Sequence, residues 1–567
     1  MKSSFLLLPL LLAASCAQRP SATLTVISTG DVHGSFFDQP YVQGGRTKTS
    51  LMSVKHFVDS VRVADGAENV LLIDAGDILQ GDNAAYYFNY VAADKPHIFP
   101  QVASYMGYDV CVLGNHDIET GHPVYDRVSK ELARQGIKWL AGNAVKPDGK
   151  SYFPTYVILK KAGMKVAVLG FDNANIRAWL SEELWSGMDF VSLVPFVQQC
   201  VDRVKQREKP DKLIVAVHSG TGDGDGSQLE NQGLDLYNSL VGVDLVIGAH
   251  DHAPYAVCDS AKAYVNGGSR AGNVGFVKMD GDGILYCGTV RMDKSAVDTV
   301  MREHFRPQFD SVAAFTNRKV GELAMPLLTR DAYTGMCDYI NLVHTVQISV
   351  PEASISFAAP LTFNGRVKSG ELIYNDMFTI YPFENQLFVV RMKGSEIVSY
   401  LEYSYDRWIQ KPGEHLLRIE QRNDPRTGTQ QWSFVGRSYN FDSAAGLVYD
   451  VDVTEECGSR IRVRSLADGS PFDPEAWYNV AMTSYRANGG GGIMPQGAGI
   501  GSELLESRMV ARYPEIREMI YKYISGNPVI TPEMVSDKKV TGEWKFVPES
   551  LVSSMMAADM ALLFPRR

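Results

Sequence analysis

After its first sixteen residues this chain has no apolar run long enough to cross a bilayer, which excludes a membrane protein built from several spanning helices. It has no run of lysine and arginine, and its formal net charge is −10, which argues against a polyanionic nucleic-acid partner. A small anionic substrate stays open, because local cations such as metals override the global sign. Cysteine is scarce, and after Cys16 it recurs only at 111, 200, 258, 287, 337 and 457. With no C-x-x-C among them, a zinc ribbon or a dithiol redox motif is excluded, and no pairing can be read from the spacing. There is no internal repeat and no low-complexity tract. What is there is ordinary for a globular protein, with 45% hydrophobic and 21% charged residues. At 567 residues the chain is too long for one core and calls for two domains.

The segment 1–16, MKSSFLLLPLLLAASC, carries one lysine and then an apolar stretch from Phe5 to Ala14. That is the length of a signal-peptide core, too short for a permanent span. Ala13, Ala14 and Ser15 run into Cys16, as at a bacterial lipoprotein processing site, although the usual leucine is displaced by one, to Leu12. The expectation is an exported protein tethered to a membrane by lipid on Cys16; the alternative is an ordinary secretory signal cleaved nearby.

From 22 to 292, short β-rich runs alternate with helical patterns: ATLTVIST, NVLLIDAGD, DVCVLGNHD, KVAVLGFDN, KLIVAVHSG and DLVIGAHDH. Each is near-continuously apolar and ends in Gly, Asp, His or Asn. Strands buried on both faces, with polar residues gathered at their carboxyl ends, indicate an α/β fold with its site along one sheet edge. Residues 293–325 open with a charged, helix-like stretch and read as an interdomain helix and linker. From 326 to 545 a second, α+β domain is expected, with strand candidates LFVVRMKG and LVYDVDVT and a glycine-rich ANGGGG loop.

The strand ends of the first domain supply Asp31 and His33, then Asp77, then Asn115 and His116, then His218, then His250 and His252. Any one of these, taken singly, is a cap or a turn residue. Five such clusters on successive strands are hard to produce by turn chemistry, and Asp, Asn and His form a ligand set for divalent ions. One shared carboxylate can hold two ions about 4 Å apart, the spacing used to activate water against a phosphoester. The loop GTGDGDGSQLENQG mimics the start of a calcium loop with Asp223, Asp225 and Ser227. It has Gln228 where that loop turns on glycine and Leu234 where it needs a bidentate glutamate, so a solvated rim is the better reading.

This order of motifs resembles the calcineurin-like metallophosphoesterases, and with a second domain following, the whole chain resembles the 5′-nucleotidase family of exported two-metal enzymes. The resemblance implies an α/β, αββα sandwich with an α+β substrate-binding domain behind it. It implies two divalent metals, one held by Asp31, His33, Asp77 and His252, the other by Asp77, Asn115, His218 and His250, with Asp77 bridging. It makes His116 the catalytic group that stabilises the transition state or protonates the leaving oxygen. Glu119 stands where the family has an orienting aspartate, one methylene longer. His122, nearby, is expected to be structural.

For the second domain the resemblance implies a nucleobase held between two aromatic rings. The segments SYNFDSAAG and TSYRANGGGG nominate Tyr439 and Tyr485, with Asn488 in the same loop. Simple 5′-nucleotidases carry N-G-G-x-R and a G-G-D-G loop whose aspartate contacts ribose hydroxyls. Here SFAAPLTFNGR and Gly491 stand instead, closer to the 2′,3′-cyclic-nucleotide phosphodiesterase/3′-nucleotidase branch. Arg366 and Arg391 are open as phosphate contacts. The expectation is therefore a nucleotide-hydrolysing, metal-dependent phosphoesterase, acting on 5′-, 3′- or 2′,3′-cyclic nucleotides. Its rivals are a hydrolase of another phosphate or sulfur ester and a catalytically silent surface binding protein. The full set of ligand types argues against the silent reading.

Overall fold

Val26 and Ile27 are neighbours on one strand, yet they belong to different hydrophobic clusters. Val26 faces Leu71, Ile73, Val168 and Ile214 in the layer between two sheets, while Ile27 faces outward onto Leu51 and Val54 of the helix Leu51–Asp65. That double burial is why the strands are apolar without alternation. The structure is a computed structural model and describes residues 23–565 except 44, 384 and 424–428. The signal-like segment and Cys16 lie outside the described residues. Among those described, no helix is long and apolar enough to cross a membrane.

Twelve strands build the first domain's two sheets: β1 Leu24–Thr29, β2 Val70–Asp74, β3 Val110–Val112, β4 Lys138–Leu140, β5 Tyr156–Lys161, β6 Met164–Phe171, β7 Lys212–Val217, β8 Leu245–Gly248, β9 Tyr255–Cys258, β10 Ala263–Asn266, β11 Asn273–Met279 and β12 Ile284–Arg291. One sheet runs in the order β12-β11-β1-β2-β3-β4 and the other β9-β10-β8-β7-β6-β5. The central strands β1 to β4, and β6, β7, β8 and β10, are parallel to their neighbours within each sheet, with antiparallel strands added outside them. All six strands expected from the sequence are present, three in each sheet. Helices cover both outer faces, which makes the αββα sandwich.

The stretch read as an interdomain helix is two shorter helices, Thr299–His304 and Arg306–Thr316. Asp298 caps the first by accepting from Met301 N at 2.8 Å. Pro307, which has no N–H to donate, sits in the first turn of the second. Strand Lys319–Leu323, inside the expected linker, already pairs with Gly370–Ile373 of the second domain. That domain centres on β13 Ile355–Ala358, β14 Gln386–Lys393, β15 Ser443–Ala445, β16 Trp477–Thr483 and β17 Met509–Glu515, ordered β15-β13-β16-β14-β17. Its packing continues past residue 545 into the helix Glu549–Leu563, whose Val552, Met556 and Leu563 join the core.

The domains meet beside the linker. Tyr86 and Tyr87 of the first pack against the second domain's core, and the Tyr86 hydroxyl donates to Glu518 Oε2 at 3.2 Å. Asn83 Nδ2 donates to Asn375 Oδ1 at 3.1 Å. At the junction itself the Arg318 guanidinium lies over the rings of Phe315, Tyr374 and Tyr521, at 4.3, 4.7 and 5.3 Å.

Candidate active site

Because the central strands of both sheets are parallel, their carboxyl ends open on one edge of the sandwich. Asp31 and His33 follow β1, Asp77 follows β2, Asn115 follows β3, His218 follows β7, and His250 and His252 follow β8. Five of these seven sit in left-handed backbone: Asp31 and His33 at φ 49°, Asp77 and His252 at φ 60°, and His250 at φ 76°. Only nine described non-glycine residues have positive φ, so this edge holds most of them. Such backbone costs on the order of 1–3 kcal/mol per residue and persists where the surroundings fix it. Here the turns aim side chains inward that a relaxed strand end would release to solvent.

The ligand atoms fall into two groups, Asp31 with His33 and His252, and Asp77 with His218 and His250, each with its atoms within 4.8 Å of one another. Asn115 joins the second group, its Oδ1 lying 3.0 Å from His250 Nδ1. In the first group His33 Nε2 meets His252 Nε2 at 2.9 Å, and His252 Nε2 lies 3.4 Å from Asp31 Oδ1. His33 Nδ1 donates to the Gln80 carbonyl at 3.1 Å and His218 Nδ1 to the Ala75 carbonyl at 2.8 Å. A carbonyl can only accept, so in the neutral form of either ring Nε2 is the unprotonated nitrogen and faces the centre, the orientation a metal requires.

The buried Asp31 Oδ1, Asp77 Oδ2 and His218 Nε2 have no hydrogen-bond partner, although His218 Nε2 and Asp77 Oδ2 are 3.1 Å apart. Two carboxylates with no solvent exposure and orphaned oxygens need positive charge beside them. The electrostatics show the same demand. Burial alone would lower the pKa of His218, but Asp77, Asp31 and Asp172 raise it well above the ordinary histidine value. Burial would raise that of Asp77, and His218, His116 and His33 pull it well below the carboxylate range. The residues fit a pair of divalent cations.

Asp117 holds the arrangement together. Fully buried, it accepts from Gly114 N, Asp77 N, Ile78 N and Leu79 N at 2.9–3.0 Å, stitching the β2 and β3 loops into one unit. Burial and the Asp77 charge push its pKa up to about 6. Glycine is required at 114, where a Cβ would come within 2.3 Å of Asp77 Oδ1. His116 lies on the rim, its ring 5.6 Å from that of His33, and its Nδ1 donates to Glu119 Oε2 at 2.5 Å. The longer glutamate thus reaches the imidazole. His122 lies between Asp126 Oδ2 at 3.1 Å and the Ser186 carbonyl at 3.0 Å, pinning a loop to its helix, a structural position.

Across the cleft, the rings of Tyr439 and Tyr485 meet edge to face, with centroids 6.5 Å apart and 80° between their planes, rather than as the two parallel faces expected from the sequence to hold a base between them. Tyr485 is 41% exposed and Tyr439 half-buried, and Phe383 adds a third ring 6.2 Å from Tyr439. The two tyrosine loops are tied by Arg486, which donates to Asp442 Oδ2 at 2.8 Å and Oδ1 at 2.9 Å and to the Tyr439 carbonyl at 2.9 Å. Gly491 has φ 71°, and a Cβ there would lie 2.5 Å from Asn440 Oδ1. The absent aspartate is therefore excluded by the local fold as well as by the sequence. Asn488 Nδ2 donates to the Trp179 carbonyl at 2.9 Å, and the Trp179 indole stacks on His250 at 5.1 Å and 20°. Arg366 is exposed in the short strand Arg366–Val367. Arg391 packs on Trp477 at 5.0 Å, among residues that include neither Tyr439 nor Tyr485.

The pattern that defines calcineurin-like phosphoesterases matches residues 24–254, and that of the 5′-nucleotidase C-terminal domain matches residues 313–497. The chain belongs to the 5′-nucleotidase family of calcineurin-like phosphoesterases. It is 23% identical to a trifunctional nucleotide phosphoesterase, YfkN, of Bacillus subtilis, over 96% of this chain and 40% of that protein. It thus spans two-fifths of that relative's length. With a 2′,3′-cyclic-nucleotide 2′-phosphodiesterase/3′-nucleotidase of Yersinia enterocolitica it shares 24% identity, over 84% of this chain and 82% of that one. The crystal structure of a putative 5′-nucleotidase from Staphylococcus aureus superposes with a TM-score of 0.75 at 18% identity, covering 92% of this chain and 99% of the other. Membership makes this phosphoesterase a hydrolase.

Sequence reasoning missed Asp117, Asp442, Arg486, Phe383 and Trp179. The first three lie inside the very motifs GNHD, YNFD and YRAN, so their signal was present and only their roles were not. Trp179 closes the short helix Ile176–Trp179, a segment that carries no motif.

Proposed function

We propose that this phosphoesterase is an exported, lipid-tethered enzyme that hydrolyses nucleotides to nucleosides and phosphate, with esters at the 2′ and 3′ oxygens among its substrates. One contact carries the reading. Asn488, three residues after Tyr485, bonds to Trp179, whose ring covers His250, so the aromatic clamp stands at the rim of the ligand cluster. Stacking on an aromatic ring accepts any base face, and the choice of base is therefore loose. The loop at Gly491 offers no carboxylate to a ribose diol, which suits substrates whose 2′ and 3′ oxygens are esterified. Export and the tether rest on the segment ending at Cys16.

Asp31, His33, Asp77 and His252, and Asp77, Asn115, His218 and His250, would hold two divalent cations that supply Lewis acidity and a water of lowered pKa. Asp31 and Asp77 bring the negative charge that retains cations in a buried place. His33 and His218, fixed from behind by carbonyls, keep their Nε2 atoms turned inward. Glu119 fixes the His116 ring through Nδ1, and Nε2 hands a proton to the departing ribose oxygen. Trp179 and the clamp rings exclude water from the substrate's base.

The test is phosphate release from 5′-AMP, 3′-AMP, 2′,3′-cyclic AMP and UDP-glucose by chelated enzyme resupplied with Mn²⁺, Zn²⁺ or Co²⁺. A phosphomonoesterase is added to reveal the products of the cyclic substrate. Metal-dependent release from the nucleotides supports the proposal. No release from any of the four, with release from a base-free ester such as ribose 5-phosphate run beside them, would move the enzyme to another phosphate or sulfur ester.

A further inference from the structure

The two sheets of the sandwich finish on the same side with antiparallel edge strands, β9 on one and β12 on the other, and these two edges pack against each other. Each edge carries one cysteine. Cys258 is the last residue of β9 and is exposed; Cys287 lies in the middle of β12 and is half-buried. The Cys287 Sγ is 3.5 Å from the Tyr264 carbonyl and 3.9 Å from the Val257 carbonyl. Val257 and Tyr264 are paired partners in the β9–β10 ladder, and the next pair along is Cys258 with Ala263. The Cys287 thiol is thus seated at the rung beside Cys258, near enough for the two sulfurs to act on each other electrostatically. The other four described cysteines are dispersed, Cys111 in β3, Cys200 beneath the second sheet, Cys337 and Cys457 in the second domain.

We propose that Cys258 and Cys287 form a disulfide that staples the open edges of the two sheets. The two thiols lose two protons and two electrons, and the acceptor is an external low-molecular-weight disulfide such as glutathione disulfide. The exposed Cys258 attacks first, as its thiolate, and expels one thiol from the external disulfide. Cys287 then attacks the Cys258 sulfur of the mixed disulfide and expels the second. Two protein thiols and one disulfide become one protein disulfide and two small thiols. Burial and the neighbouring sulfur push the Cys287 thiol up to about 12, which assigns it the second, intramolecular step, where proximity compensates for low thiolate content.

The staple would bear on the active edge. β9 begins three residues after His252, so a covalent tie at its far end restrains the strand leaving the loop of His250 and His252. It also closes an edge at which the two sheets otherwise part without backbone pairing.

The full chain, purified under reducing conditions, is exposed to glutathione disulfide, quenched, alkylated and digested without reduction. Expected is a peptide pair joining Cys258 to Cys287 that separates on reduction, together with a rise of several degrees in Tm. That rise should be absent in Cys258→Ser and in Cys287→Ser. Glutathione left on Cys258 while Cys287 is alkylated after unfolding would overturn the proposal, as would recovery of both as alkylated thiols. A cross-link that leaves Tm unchanged would overturn the staple. The mapping needs no variant, and Cys258→Ala, at an exposed position, provides a second control should Cys287→Ser fold poorly.

Discussion

Asp77 concentrates the chemistry at the scale of one residue. It belongs to one ligand group, the proposed assignment makes it common to both, and its Oδ1 also receives the His116 N–H at 2.8 Å. Asp77→Ala should therefore abolish binding of both cations, measured as metal per protein after gel filtration; two retained metals would refute the bridging role. His116→Ala should lower kcat by about 10²–10⁴-fold while metal content stays unchanged. That loss should shrink with p-nitrophenyl esters, whose leaving group needs no proton. Glu119→Gln should act in the same direction more weakly. The residue types themselves were legible in the sequence, because each candidate ligand closes an apolar strand. The left-handed backbone that aims five of them was not, since nothing in an Asp or His reports its own φ.

At the scale of elements, the proposed clamp consists of two loops held in register by one buried ion pair. Replacing Tyr439 or Tyr485 with alanine should remove ~1–3 kcal/mol of stacking, about five- to 150-fold in kcat/KM for nucleotides, with little effect on ribose 5-phosphate. Equal losses on both substrates would make the tyrosines packing residues. Arg486→Met leaves Asp442 buried with the Tyr400 hydroxyl but no compensating cation, a loss of about 3–5 kcal/mol, to be read as a lower urea midpoint. Gly491→Asp should destabilise the loop rather than improve 5′-AMP binding, because its φ and the nearby Asn440 both oppose a side chain. The helix Asp338–Ile348 contributes a different signal. Its His344, fully buried between Ser356 Oγ at 2.9 Å and Ser443 Oγ at 3.3 Å, has its pKa pushed down by burial to about 3. The unfolded chain takes up a proton there below 6.5 and the folded chain does not. Stability should then be flat above pH 6.5 and fall by about 1.4 kcal/mol per pH unit, from this group, as pH drops toward 3. Urea midpoints across that range should show a shallower slope in His344→Gln.

For the whole molecule, six strands could be read because both their faces are buried. Which strands fall in which of the two sheets could not, since an apolar run does not name the strand it pairs with. The broken linker helix was half-visible in Pro307, and the second domain's reach to Leu563 was hidden by a helix whose apolar residues lack a clear stripe. Contacts between domains were invisible from sequence: Asn83 with Asn375, Tyr86 with Glu518, and Arg318 in its ring of three aromatics are separated by hundreds of residues or by a turn. With ligands on one domain and the clamp on the other, turnover requires the cleft to admit and release substrate. Engineered cysteines that lock Asn83 to Asn375 should lower kcat while leaving metal stoichiometry intact, and unchanged kcat in a verified cross-linked sample would contradict a moving cleft.

Trp179 has a use that its position alone confers. Its indole rests on His250 while its carbonyl is held by Asn488 of the opposite domain, so one fluorophore touches both halves of the cleft. Cation loading changes the charge beside the ring, and opening of the cleft exposes it. Of the seven tryptophans, Trp139, Trp408 and Trp544 are buried in the cores and should stay spectrally constant. The difference in emission between the wild type and Trp179→Phe should thus follow metal titration and substrate entry in real time, an optical readout that requires no label.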